Sequence, residues 1–216
     1  ADVPPALIRA AMRRLGVRTG RGYGSTEFPS ITSSTGPGEP DDRRAETDGR
    51  PIGPNLLRLG PDGEIWAKGP ELCLGYRDSS LNAEAFDEEG FFRTGDLGVI
   101  DAGGYLTITG RVKDIVVRKG EKISAREIED LLLEHPKVRA AAIVGLPDPE
   151  VGERIVAFVV PRRIDDPPTL AELCAFLVEK ELSRRKLPER LEIVPELPMT
   201  ASGKVAKHVL RARTGL

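Results

Sequence analysis

Three short segments of this 216-residue chain crowd polar side chains into glycine-containing turns, where backbone can come close to a ligand. They are Gly22-Tyr23-Gly24-Ser25-Thr26-Glu27, then Arg93-Thr94-Gly95-Asp96-Leu97 followed by Gly110-Arg111-Val112-Lys113-Asp114, and finally Pro198-Met199-Thr200-Ala201-Ser202-Gly203-Lys204. In the first, Tyr23 offers a flat face for a base, Thr26 a hydroxyl for a phosphate oxygen, and Glu27 a hard oxygen for Mg²⁺. In the second, Asp96 is an acceptor suited to paired ribose hydroxyls, and Arg111 can donate to the same ribose or to phosphate. In the third, Lys204 ends a small, hydroxyl-rich run able to lie against a polyanion, where a lysine can offset phosphate charge. Each segment also has a plainer reading. These are a glycine turn with a surface carboxylate, an Asx-turn at Asp96, a solvated charge pair of Arg111 and Lys113 with Asp114, and a helix-start lysine on an exposed tail.

Other suggestive residues fail their own tests. Ser33 to Gly38 looks like a phosphate loop but lacks a Gly-Lys-Ser/Thr ending, and Gly20, Gly22 and Gly24 do not satisfy G-x-G-x-x-G. Cys174 falls on an apolar helical stripe and Cys73 between Leu72 and Leu74 of an expected strand, so both read as core. His135, before Pro136 at a helix end, reads as a dipole contact. Arg118, Lys119 and Lys122 have no interleaved aromatics, so nucleic acid is not expected as a partner.

The elements that must position these segments change character along the chain. Residues 4–15 predict a helix with Leu7, Ile8, Ala11 and Leu15 on one face, and residues 29–50 an exposed loop. Strands are expected at Asn55–Leu59, Glu64–Lys68, Leu97–Asp101 and Tyr105–Thr109, with turns at Pro61–Gly63 and Asp101–Gly104: a small antiparallel β unit. After Gly110 the pattern becomes mixed. Ile115–Val117 and Glu121–Ile123 flank a Lys119-Gly120 hairpin, and capping boxes at Ser124–Glu127 and Thr169–Glu172 open two helices. Their apolar stripes are Ala125, Ile128, Leu131 and Leu132, then Leu170, Leu173, Cys174, Leu177 and Val178. Ala140–Val144, Ile155–Val160 and Leu191–Val194 read as strands and Lys204–Arg213 as a terminal helix. The best division falls near residues 110–114.

Composition narrows the class. With 39% apolar and 31% charged residues, the chain is neither membrane-spanning nor disordered. Two cysteines and two histidines cannot build a disulfide scaffold or a zinc site, and a reducing, cytoplasmic setting is expected. The first 110 residues carry a net charge of −5 and the remainder +3, too little to mark a polyanion-seeking protein. A first residue of Ala1 rather than Met leads us to expect a fragment or processed product.

Together and in this order, the three segments resemble the adenylate-forming superfamily of acyl-CoA synthetases, peptide-synthetase adenylation domains and luciferases. The likeness extends to the strand text Gly69-Pro70 through Gly75-Tyr76 and to the run from Gly110 to Glu129, covering nearly the whole chain. It implies an α+β fold. Residues 1–110 would be the end of a large N-terminal domain, and residues 111–216 a complete small mixed α+β C-terminal lid domain, hinged near Lys113. It further implies that Asp96 and Arg111 hold a ribose, that Lys113 is the pivot between two half-reactions, and that Lys204 serves adenylation. A different face of the lid would serve thioester formation, with the hairpin around Gly120 facing the pantetheine of CoA.

The activity so implied is an acid–CoA ligase using ATP, Mg²⁺ and CoA on a small carboxylic acid, through an acyl-adenylate. A carrier protein could replace CoA as acceptor. Luciferases carry a lysine where this chain has Val117, which argues against that branch, and the end of the chain twelve residues after Lys204 favours a stand-alone ligase over a peptide-synthetase module. The family's Gly/Ser/Thr-rich phosphate loop and most of its acyl pocket are not in these 216 residues. The isolated chain is therefore expected to be inactive, a nucleotide-contacting or interaction module.

Overall fold

The computed structural model describes residues 3–201 and 203–213, and the chain divides between Val112 and Lys113 into two compact units. The first opens with helix α1 (Pro5–Leu15), started by proline at N1 and stopped by Gly16 in the left-handed region. The expected apolar face is not a core face. Ile8 is buried, but Leu7 and Leu15 are exposed.

Strands β1 (Gly22–Tyr23), β2 (Thr32–Ser33) and β3 (Arg50–Pro51) form a small antiparallel sheet, with helix α2 (Asp41–Glu46) between the last two. This overturns the exposed loop expected at residues 29–50. Ile31, Thr32, Ser34, Arg44, Ala45 and Asp48 are all buried there. The polar ones tolerate burial because they are hydrogen-bonded: Ser34 Oγ donates to the Arg21 carbonyl, and Thr32 Oγ1 to that of Asp48. Polar composition had suggested solvent where the fold supplies partners.

A four-stranded antiparallel sheet follows in the order β4 (Leu56–Leu59), β5 (Glu64–Lys68), β6 (Phe92–Ile100) and β7 (Leu106–Arg111). Its buried face joins Ile65, Ala67 and Leu106 to Tyr23, Phe28 and Ile31 in one core. The strand β6 starts five residues earlier than expected, so the Arg93–Leu97 segment is strand and not a free turn. The glycines misled: Gly95 has φ +72° and the register shifts between Leu97 and Gly98, a bulge that the ladder absorbs. Conversely, the segment around Leu72–Leu74, expected as a strand, is turn and bend. Cys73 is only half-buried and Leu74 fully exposed. A short helix α3 (Asn82–Ala85) completes the unit.

In the second unit β8 (Ile115–Arg118) and β9 (Glu121–Ser124) form the expected hairpin. Helix α4 (Ala125–Leu133) follows, burying Ala125, Ile128 and Leu132, while Leu131 is only partly buried. Ser124 is its N-cap without a side-chain cap bond, so the expected capping box is not formed. Strands β10 (Val138–Asp148) and β11 (Gly152–Pro161) pair along ten register positions, and β12 (Arg190–Ile193) adds to β11 in parallel. Helix α5 (Leu170–Glu179) has the capping box that its sequence announces, with Thr169 and Glu172 bonded reciprocally.

On α5, Leu173 and Leu177 enter the core, Val178 is exposed, and Cys174 is partly buried with Sγ 3.5 Å from the Pro188 carbonyl. His135, expected as a dipole contact, lies just past the end of α4. It is buried edge-on to Phe176, Nδ1 accepting from Lys137 N–H, and burial lowers its pKa toward the neutral form. The last helix, α6 (Lys207–Arg213), begins three residues later than expected, placing Lys204 in the turn before it.

Candidate nucleotide site

In the first unit, β1 leads into a tight turn closed by Ser25 N–H on the Phe28 carbonyl at 2.9 Å and Phe28 N–H on Ser25 Oγ at 3.2 Å. Only glycine fits at position 24, where a Cβ would stand 2.0 Å from the Pro29 carbonyl oxygen. Tyr23 and Glu27 thus sit at either end of a rigid turn, with Thr26 exposed on it.

Tyr23 is packed in the core, 8% exposed, and its hydroxyl donates to Asp96 Oδ2 at 2.8 Å. Burial pushes its phenol far above the ordinary range, with the Asp96 charge adding to the effect, so it is a permanent donor. Asp96 Oδ1 meets Arg111 Nε at 2.8 Å. The Asp96 side chain is 9% exposed and that of Arg111 is 51% exposed, so a buried carboxylate sits behind a solvent-facing guanidinium. Thr94 Oγ1 donates to the Ile65 carbonyl at 2.7 Å and accepts from Asp96 N–H at 3.2 Å, stitching this bulged part of β6 to β5.

Three residues from distant stretches, Tyr23, Asp96 and Arg111, therefore form one polar cluster. A buried carboxylate between a phenol and a guanidinium retains lone pairs that suit vicinal hydroxyls.

Glu27 is half-buried, and its Oε1 accepts from the Tyr76 hydroxyl at 2.9 Å. Among the described residues no group of three or more His, Cys, Asp or Glu could hold a metal alone. Mg²⁺ needs no such cage when one carboxylate is joined by nucleotide phosphates, and the Glu27 carboxylate fits that role chemically. Tyr76 and Thr94 make contacts that residue types alone do not assign, although Gly75-Tyr76 lies within the segment of family likeness.

Lys113, Gly120 and Lys204 belong to the second unit. Lys113 is exposed in a 3₁₀ turn (Val112–Asp114), and its carbonyl accepts from Arg211 of α6 at 3.2 Å. Asp114 faces Lys207 at 3.6 Å, and Lys207 also pairs with Glu129 at 2.8 Å. Burial raises the Glu129 pKa against the pull of Lys207. Lys119 and Gly120 turn the β8–β9 hairpin at φ +50° and +79°, a pairing that favours glycine at the second position. Apart from its chain neighbours, no atom of the described residues lies within 4 Å of where a Gly120 Cβ would stand.

Lys204 is exposed at the end of a short turn braced by a bridge between Met199 and Val205. Its carbonyl accepts from Thr200 N–H at 2.7 Å and its N–H donates to Thr200 Oγ1 at 3.1 Å. The neighbouring Ser202 lies outside the described residues.

Residues 127–204 match the family model of the AMP-binding enzyme C-terminal domain. The medium-chain fatty-acid–CoA ligase of Escherichia coli (strain K12) is 38% identical over 220 residues, covering 97% of this chain and 38% of that protein. The 2,3-dihydroxybenzoate-AMP ligase of Bacillus subtilis (strain 168) is 40% identical over 185 residues, 80% of this chain and 34% of that protein. ATP-bound MatB from Rhodopseudomonas palustris superposes with a TM-score of 0.86 at 31% identity, covering 97% of this chain and 43% of that one. The chain therefore spans less than half the length of these proteins.

Proposed function

From a chain that belongs to the adenylate-forming enzymes, matching a C-terminal part of them, we propose a protein that activates a carboxylic acid with ATP and passes the acyl group to CoA. The carboxylate oxygen attacks the α-phosphate, pyrophosphate leaves, and the acyl-adenylate then yields its acyl group to the thiol with release of AMP. Asp96 and Arg111 hold the ribose, Tyr23 fixes Asp96 and borders the base, and Thr26 meets phosphate. Glu27 would hold Mg²⁺, which would neutralise phosphate charge. Lys204 offsets charge at the α-phosphate during adenylation only. Lys113 is the hinge, and the Gly120 hairpin faces pantetheine in the second step.

The observation that carries this reading is the Tyr23–Asp96–Arg111 cluster, a buried carboxylate held from two sides in the segment that also bears the expected ribose motif. The test uses the full-length protein with a panel of carboxylic acids. Acid-dependent ATP–pyrophosphate exchange, followed by thioester formation on added CoA, is the expected result. Exchange without transfer to CoA, but with transfer to a phosphopantetheinylated carrier protein, would identify the alternative acceptor; the relative named as an AMP ligase keeps that arm of the experiment necessary. No exchange with any acid would sink the ligase reading.

A further inference from the structure

The loop between β5 and β6 reaches Glu27 twice. Cys73 N–H donates to the Glu27 carbonyl at 2.8 Å, and the Tyr76 hydroxyl donates to Glu27 Oε1 at 2.9 Å. The loop is itself pinned. Gly75 takes φ +140°, a conformation that side chains disfavour, and Tyr76 N–H donates to Asn82 Oδ1 at 2.8 Å at the start of α3. Backbone and side chain of Glu27 are thus held by one braced segment 46 to 49 residues away in sequence, as the Cys73 and Tyr76 positions show.

We propose that Tyr76 is a positioning residue: its hydroxyl fixes the rotation of the Glu27 carboxylate so that this group is set for the Mg²⁺ that accompanies the nucleotide. The inference rests on the reading of Glu27 as a metal-holding residue. A carboxylate on a free rotor must be ordered when the ion binds, whereas one already anchored through Oε1 need not be. Removing the anchor should weaken metal capture while leaving the ribose cluster, built on β1, β6 and β7, unchanged.

The experiment titrates Mg²⁺ into full-length protein at fixed ATP, following nucleotide binding by calorimetry, for wild type, Tyr76→Phe and Glu27→Gln. Binding of AMP without metal and the melting temperature are measured alongside. Tyr76→Phe should raise the Mg²⁺ half-point about three- to tenfold, the scale of one lost hydrogen bond, with AMP binding unchanged. Glu27→Gln should raise it further. An unmoved half-point in Tyr76→Phe, with Glu27→Gln shifted, overturns the positioning role and leaves the metal reading intact. A parallel loss of AMP binding in Tyr76→Phe overturns it too, showing a general strut. Identical half-points in wild type and Glu27→Gln remove Glu27 from the metal, and the role of Tyr76 falls with it.

Discussion

Asp96 and Arg111 are register partners across the antiparallel pair β6–β7, and their side chains meet at 2.8 Å, the acid buried and the base facing solvent. The ladder places them opposite each other whatever the ligand does. One oxygen of the Asp96 carboxylate accepts from the Tyr23 hydroxyl and the other meets the Arg111 guanidinium.

Asp96→Ala in the full-length protein should weaken ATP binding roughly 10- to 100-fold, since hydrogen bonds to a charged acceptor are worth about 1.5–3 kcal/mol each. CoA binding should change little. The variant should also melt earlier, because it leaves the Tyr23 hydroxyl buried without its acceptor. Equal losses for both ligands would remove Asp96 from the ribose site.

Lys204→Ala should cripple acyl-adenylate formation by about 10²–10³, the scale of one positioned charge lost at a transition state. Conversion of supplied acyl-adenylate plus CoA to thioester should survive largely intact, since AMP is then a leaving group already bound. The turn bonds of Lys204 run through its backbone, so alanine keeps the local shape. Equal losses in both assays would demote the lysine to a structural or general binding role.

Lys113→Pro restricts φ at the proposed hinge while leaving the carbonyl that accepts from Arg211. One half-reaction should be retained and the other strongly slowed, according to the conformation in which the pivot is frozen. Assays with free acid and with synthetic adenylate separate the two. Uniform slowing of both would argue against a pivot at this residue.

Glu172 gives the second unit an acid-side pH dependence. Its carboxylate accepts from Thr169 N–H and pairs with Lys137, which holds its pKa at about 2 instead of 4.5. The folded value lies below the unfolded one, so its contribution is complete above about pH 4.5 and is lost as pH falls toward 2. Thermal melts of wild type and Glu172→Gln across this window should converge as the acid protonates. Parallel curves would show that the capping box carries no net charge effect.

Much of this molecule can be read along the chain because the signals are local. Glycine and proline punctuate the Pro61–Gly63, Asp101–Gly104 and Lys119–Gly120 turns, and Thr169-x-x-Glu172 announces its helix, since turn dihedrals and cap bonds involve residues only a few positions apart. Strand patterning around Glu64–Lys68 and Ile155–Val160 is legible for the same reason. Local signals fail where long-range partners decide. Within the polar stretch 29–50, Thr32, Ser34 and Arg44 are buried because the carbonyls of Asp48, Arg21 and Glu39 accept from them, and Arg93–Leu97 is strand because β5 and β7 flank it.

The same division runs through the candidate site. The residue types at Tyr23, Glu27, Asp96, Arg111 and Lys204 are evident from sequence, because chemistry resides in side chains. That Tyr23 reaches Asp96 across 73 positions, and Tyr76 reaches Glu27 across 49, follows only from the folded sheet and its braced loop. Hydrogen bonds between distant residues leave no periodicity in a single sequence; they exist only once the core has brought the strands together.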